Sequence, residues 1–104
     1  MQPTFDQYHE SVGAELECPG CGNNDLHHEC IEVFDRSEDE PKGLHVTVNG
    51  GSVNVDTDLK GNPSARRHGL AIHFSCEHCK AKPVLTIAQH KGKTYVDLRN
   101  DAGT

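Results

Sequence analysis

Apolar and polar residues alternate along several short stretches of the chain, which is the pattern of β-strands with one apolar face. The two clearest stretches are 44–48 and 53–57, and an Asn-Gly-Gly-Ser turn joins them. Asn-Gly and Gly-Gly pairs tolerate the positive φ angles of a tight reversal, so the sequence predicts a β-hairpin here. Its apolar residues are expected to share an inward face: Leu44, Val46, Val48, Val53 and Val55. Its polar residues are expected to point outward: His45, Thr47, Asn54 and Asp56.

Four further stretches also predict strands. They are 26–34, 69–76 and the two arms of a second hairpin, 84–88 and 94–98. Within 69–76, one face is expected to carry Leu70, Ile72, Phe74 and Cys76. The charged stretch 36–41 and the turn-rich stretch 60–69 predict surface loops. Together these elements predict an all-β fold, a small antiparallel sheet of about six strands.

The two ends of the chain are predicted to lie outside the sheet. Phe5, Tyr8 and Val12 have the spacing of one helix face, but polar residues surround them. We therefore expect residues 1–15 to form a flexible leader or, alternatively, a short helix over the sheet. A chain of 104 residues is too short for two independent cores, so 16–99 is predicted to be one domain. Residues 100–104 are predicted to be a disordered tail.

Four of the five cysteines occur in two CxxC motifs, Cys18–Cys21 and Cys76–Cys79. Two residues between cysteines let both thiolates turn toward one point, and two such pairs complete the tetrahedron that Zn²⁺ prefers. Four thiolates fill every coordination position. The sequence therefore predicts one structural zinc ion bound by Cys18, Cys21, Cys76 and Cys79, with Cys30 left out as a buried small side chain.

Other uses of these cysteines stay open. Histidine could replace one thiolate, and His27 and His28 lie just after the first motif. Disulfides are a second alternative, although five cysteines would leave one unpaired and the N-terminal residues do not form a secretion signal. A redox role is a third alternative, but it needs CxxC at the start of a helix in a βαβ pattern, which neither motif shows.

The two CxxC motifs resemble the knuckles of the zinc-ribbon class. The resemblance implies β-strands fed by each knuckle, but 54 residues separate the motifs where about 15 to 20 are usual. The hairpin at 44–57 is interpreted as an insertion. Stretches 32–36, 45–48, 61–64 and 89–92 also resemble those of small uncharacterised zinc-ribbon proteins of actinobacteria and their phages. That resemblance implies a zinc-binding protein and no particular activity.

Composition and charge limit the function. Hydrophobic residues make up 34% of the chain and there is no Trp, so a metal is expected to supply stability that a thin core lacks. No apolar run is long enough to span a membrane. The net charge is −6, but residues 1–40 carry −10 and residues 41–104 carry +4. Reduced, zinc-binding thiols favour a cytoplasmic location.

These features favour a binding module over an enzyme. The sequence contains no nucleophile elbow, zinc-protease motif, P-loop or dinucleotide fingerprint, and no small-molecule substrate is expected. A second metal site built from His27, His28, His73 or His78 is the alternative that would restore catalysis. We expect protein interaction through the charge-split surface; the alternative is nucleic-acid or phosphate binding by the basic segment 60–93. The predicted ligand-binding residues are Arg66, Arg67, Lys80 and Lys82, which are expected to come together where the chain returns through the second knuckle.

Overall fold

The computed structural model of the chain describes residues 1–101. In this part of the chain, eight strands form an all-β antiparallel fold. They are β1 (Phe5–His9), β2 (Gly13–Leu16), β3 (Leu26–Asp35), β4 (Leu44–Asn49), β5 (Ser52–Asp56), β6 (Gly69–Cys76), β7 (Pro83–His90) and β8 (Lys93–Asn100). No helix in residues 1–101 has the length and apolarity to cross a membrane.

Six of the strands build one sheet in the order β5-β4-β3-β6-β7-β8. This confirms the predicted sheet and both predicted hairpins, β4–β5 and β7–β8. Gly50 and Gly51 both have positive φ angles, 57° and 83°, as the tight turn between β4 and β5 requires. The residues between the two CxxC motifs form β3 to β6, so the insertion is larger than the hairpin alone.

The other two strands form a separate hairpin near the N-terminus. The short helix considered for residues 1–15 is wrong, because Phe5 pairs with Leu16 and His9 with Gly13 in an antiparallel ladder. The chain reverses over residues 10–12, where the amide of Val12 donates to the His9 carbonyl. Asn100 is the last residue of β8 and not part of a tail. The rest of the predicted tail, 102–104, lies outside the described residues.

Register gives the six-stranded sheet two unlike faces. Directly paired residues point to the same side, so two complete rows of apolar side chains cross all six strands. We call this side the apolar face. Its first row is Val55, Val46, Val33, Leu70, Ile87 and Val96; its second row is Val53, Val48, Ile31, Ile72, Leu85 and Leu98. The opposite side, the polar face, carries Glu32, Phe34, His45, Thr47, Asp56 and Ala71.

The apolar residues of the β4–β5 hairpin do share a face, but the prediction that they point inward is wrong. Val53 is 66% exposed and Val55 is 59% exposed, whereas Phe34 and Ala71 on the polar face are buried. The reason is the loop 57–68, which folds over the polar face. Its Ser64 hydroxyl donates to the carbonyl of Gln89 on β7, and Ser64 itself is buried.

Candidate metal centre

Four cysteine sulfurs meet at one edge of the molecule. Cys18 and Cys21 lie in the loop after β2, Cys76 ends β6, and Cys79 lies in the loop before β7. All four sulfurs lie within 4.8 Å of one another. The distance from Cys18 Sγ to Cys79 Sγ is 3.7 Å, and that from Cys21 Sγ to Cys76 Sγ is 3.6 Å. A tetrahedral metal with bonds of about 2.3 Å to sulfur needs sulfurs about 3.8 Å apart, so the cluster fits such an ion.

Backbone amides surround these sulfurs. The amide of Gly20 donates to Cys18 Sγ over 3.3 Å, and the amide of His78 donates to Cys76 Sγ over 3.4 Å. Each donor lies two residues after its cysteine, which is the geometry that a CxxC turn provides. Such amides stabilise sulfur in its thiolate form, the form that binds metal.

The four thiols also influence each other. Burial works against ionisation of Cys76, but the amide of His78 and hydrogen bonds from the other three thiols lower its pKa to about 7. For Cys79 the amide of Ala81 favours the thiolate, but burial and hydrogen bonds to the other sulfurs outweigh it and raise the pKa to about 12. Cys76 therefore ionises far more easily than Cys79, and a bound cation would supply the charge that further thiolates need.

The segments that carry the two motifs are also joined by ion pairs beside the four cysteines. His78 Nε2 lies 2.6 Å from an Asp25 carboxylate oxygen, and His27 pairs with Glu77. The amide of Glu77 donates to the carbonyl of Asp25 over 3.1 Å. These contacts hold the end of β6 against the start of β3 and so keep the two cysteine pairs next to each other.

The other predicted metal ligands are not brought together. Within residues 1–101, the four-cysteine cluster is the one group of cysteine, histidine and carboxylate ligands close enough to hold an ion. His73 lies on β6 against Glu32, and His28 is exposed. Cys30 lies on β3 opposite His73 and is half-buried, away from the cluster. Burial and the nearby Glu32 raise the pKa of the Cys30 thiol, which makes it a poorer ligand.

The expectation that Arg66, Arg67, Lys80 and Lys82 come together is wrong. The two arginines precede β6 and the two lysines follow it, and this strand of eight residues is about 23 Å long. The register pairs Gly69 with Ala88, so the arginines lie at the far end of β6 from the metal centre.

Two of these four basic residues contact acidic residues of the same chain. Arg66 holds the carboxylate of Asp39 with Nε and Nη2, both over 2.7 Å. Lys82 Nζ lies 3.8 Å from a Glu29 oxygen. Arg67 is half-buried and Lys80 is exposed. The acidic first forty residues and the basic remainder therefore partly neutralise each other within the molecule.

A second polar cluster lies on the polar face, and sequence spacing did not predict it. His45 contacts Asp56 through Nδ1 over 2.8 Å and Glu32 through Nε2 over 2.9 Å. Glu32 uses its other oxygen to contact His73 Nε2 over 2.7 Å. We call these four residues the histidine–carboxylate ladder. Glu32 and His73 are 41 positions apart in the sequence, so only the β3–β6 pairing brings them together.

Comparison of the chain with protein-family models, curated proteins and solved structures finds no match. The four-cysteine cluster is compatible with a zinc-ribbon-like site.

Proposed function

We propose that the chain is a non-enzymatic zinc-binding module of the zinc-ribbon type, and that its function is to bind a protein through the apolar face of its sheet. One observation carries this proposal. Five side chains of the two apolar rows are at least 40% exposed, although protein sheets normally bury their apolar side: Val33, Val48, Val53, Val55 and Val96. Leu98, on the edge strand β8, is the one row residue that is fully buried.

The metal is assigned a structural role. Zinc suits four cysteine ligands, and four thiolates leave no coordination position for water or substrate. The motifs flank β3 to β6 in the sequence, so one ion ties the chain before the insertion to the chain after it. A site that needs reduced cysteines suits the cytoplasm.

The pairing of charges shifts the proposed binding surface from the charged residues to the apolar face. Five acidic residues of the first forty contact basic residues or histidines further along the chain: Asp25, Glu29, Glu32, Asp35 and Asp39. The pairs of Glu29 with Lys82 and of Asp39 with Arg66 reduce the charge that either half can offer to a partner. Nucleic-acid binding by residues 60–93 is weakened for the same reason, since Arg66 and Lys82 already face carboxylates.

The experiment is a pull-down from the native host with three forms of the protein. Val53→Lys places a charge on the apolar face, and Asn54→Lys places the same charge on the other face of the same strand. We expect the wild type and Asn54→Lys to retain the same protein and Val53→Lys to lose it. Equal retention by all three forms would remove the apolar face as the binding surface. Retention of nucleic acid in place of protein would favour the alternative.

A further inference from the structure

The exposed apolar side chains of this protein are concentrated on one surface. In residues 1–101, eleven large hydrophobic side chains are strongly exposed, and six of them point to the apolar side of the sheet. They are Val33, Leu44, Val48, Val53, Val55 and Val96. Five of these six belong to the two complete rows, and Leu44 lies beside them at the end of β4. Soluble monomers rarely leave so much contiguous apolar surface open to water.

The total surface area points to the same conclusion. The chain exposes 6759 Å², whereas a monomer of 11.4 kDa is expected to expose about 5,800 Å². The excess of roughly 1,000 Å² is shared between the exposed part of the apolar face and the separate β1–β2 hairpin. A standard protein interface buries about 800 Å² on each partner, so the excess is of the size of one interface.

The character of the apolar face favours a second copy over a charged partner. None of the twelve side chains in the two rows is charged or polar, although the chain as a whole has a net charge of −6. A charged partner surface would lose its hydration over these rows without meeting a charged side chain; Asp35, on the same side, lies beyond the rows next to Leu44. The two uncharged and largely β-branched rows can pack against the same rows of a second copy, which is the requirement for an interface with two-fold symmetry.

We propose that two copies of this chain pack apolar face against apolar face. The product is a two-layer β-sandwich, with sheets about 10 Å apart and the polar faces outside. This inference rests on the proposed function, because it names the protein that the apolar face binds. The acidic side chains lie at the rim or on the outer surfaces of the assembly, so the net charge opposes association only at a distance.

Sedimentation equilibrium of the zinc-loaded protein tests the oligomeric state. We expect the wild type to have twice the chain mass and Val48→Lys to shift to the monomer, with a dissociation constant raised about tenfold or more, because dimerisation would bury a lysine. Asn54→Lys on the polar face should remain a dimer. Zinc content and the far-ultraviolet circular dichroism spectrum should be equal in the three forms, because Val48 is 43% exposed in the single chain.

Two results would overturn the inference. The first is a wild type that stays monomeric at about 100 µM, a concentration at which even weak specific dimers form. The second is a dimer that persists in Val48→Lys, since β4 is an interior strand and a dimer joined through the β5 edge would not need this side chain.

Photo-crosslinking separates this inference from the proposed function. A benzophenone amino acid at Val33, on the interior strand β3, would react with whatever covers the apolar face in cells. A product of twice the chain mass supports the second copy. A product with a different protein alone rejects the second copy and leaves the proposed function standing. Absence of any protein product rejects both.

Discussion

The imidazole of His45 lies flat against the ring of Phe34, with ring centroids 4.4 Å apart and an angle of 3° between the planes. The two residues are directly paired on β4 and β3. This stacking explains why the polar face is the more buried side of the β4–β5 hairpin. The imidazole covers part of Phe34 while its two nitrogens reach Asp56 and Glu32.

The histidine–carboxylate ladder predicts a pH-dependent contribution to stability. Burial lowers the pKa of His45, but hydrogen bonds to Asp56 and Glu32 outweigh it and raise the pKa above 6.5. The contribution of His45 is therefore complete below pH 6.5 and is lost as pH rises through the folded value. The pKa values of Glu32 and Asp56 are lowered from 4.5 and 3.8, so their contributions are lost as pH falls below those values.

We therefore expect His45→Gln to destabilise the protein most between about pH 4.5 and pH 6.5, and less as pH rises above 6.5 through the folded pKa of His45. His73, the fourth member of the ladder, contacts Glu32, and the amide of Asp58 donates to Asp56, so the comparison should keep both residues. The measurement is the melting temperature of wild type and variant across this pH range, with the exposed His28→Gln as control. A difference between wild type and His45→Gln that is the same at pH 5.5 and pH 8.5 would contradict the ladder.

The loop 57–68 packs closely against Gly69, so adding a side chain at Gly69 is predicted to destabilise the protein. A Cβ added to Gly69 would lie 2.1 Å from Asn62 Oδ1 and 2.7 Å from Pro63 Cδ. Asn62 cannot move freely, because it accepts from the Ser64 amide and donates to the Arg67 carbonyl. Gly69→Ala should therefore lower the free energy of unfolding by about 1 to 3 kcal/mol.

Gly61→Ala is the matched control for this loop. A Cβ there would meet Phe34 at 3.5 Å, which is ordinary contact, so little change is expected. Urea denaturation of both variants gives the two free energies of unfolding. Equal effects of the two substitutions would show that the loop yields to the added methyl group.

The strands of the main sheet could be predicted because alternation and turn chemistry are local properties. The turn at Gly50 and Gly51 and the two CxxC motifs are read from adjacent residues, and the structure places them as expected. The direction of the apolar face could not be predicted in this way. It depends on the packing of the loop 57–68 on the other side of the sheet, which involves the contact between Ser64 and Gln89 on the distant strand β7.

Two further sequence predictions are wrong because they depend on which strands pair and how long they are. The spacing of Phe5, Tyr8 and Val12 matched a helix by chance, while the actual hairpin depends on Phe5 meeting Leu16. The proximity of Arg66 to Lys82 was inferred without the length of β6, which separates them. The contact of Arg66 with Asp39 likewise joins residues 27 positions apart, which the sequence alone does not place together.

The contact of Arg66 with Asp39 predicts a small coupling free energy between the two side chains. Both side chains are about half exposed, so water and salt screen the pair. A double-mutant cycle of Arg66→Ala and Asp39→Ala should give a coupling free energy below about 1 kcal/mol that decreases with added salt. A coupling of zero at low salt would show that the pair does not form in solution.

Removal of the metal should lower the stability of the protein much more than loss of this ion pair. Structural zinc contributes on the order of 10 kcal/mol in small domains, comparable to the whole stability of this chain. Few large side chains are fully buried in residues 1–101 to compensate for its loss. Chelation under reducing conditions should collapse the dispersion of amide NMR signals. A native-like spectrum of the reduced, metal-free protein would show that the sheet is stable by itself.

Cys30 provides the internal control for the ligand assignment. It lies on β3 outside the cluster, so Cys30→Ser should bind as much zinc as the wild type. Cys76→Ser removes one of the four ligands and should lose zinc and melt at a lower temperature. Loss of metal from Cys30→Ser would show that the fifth cysteine is a ligand.

X-ray absorption spectroscopy at the zinc edge, on protein whose zinc content is measured in the same sample, tests the central claim most directly. The account predicts one zinc ion per chain surrounded by four sulfur atoms at about 2.3 Å, with no nitrogen or oxygen neighbour. A first shell that contains a nitrogen or oxygen atom, or a second metal ion per chain, would contradict a closed four-cysteine structural site.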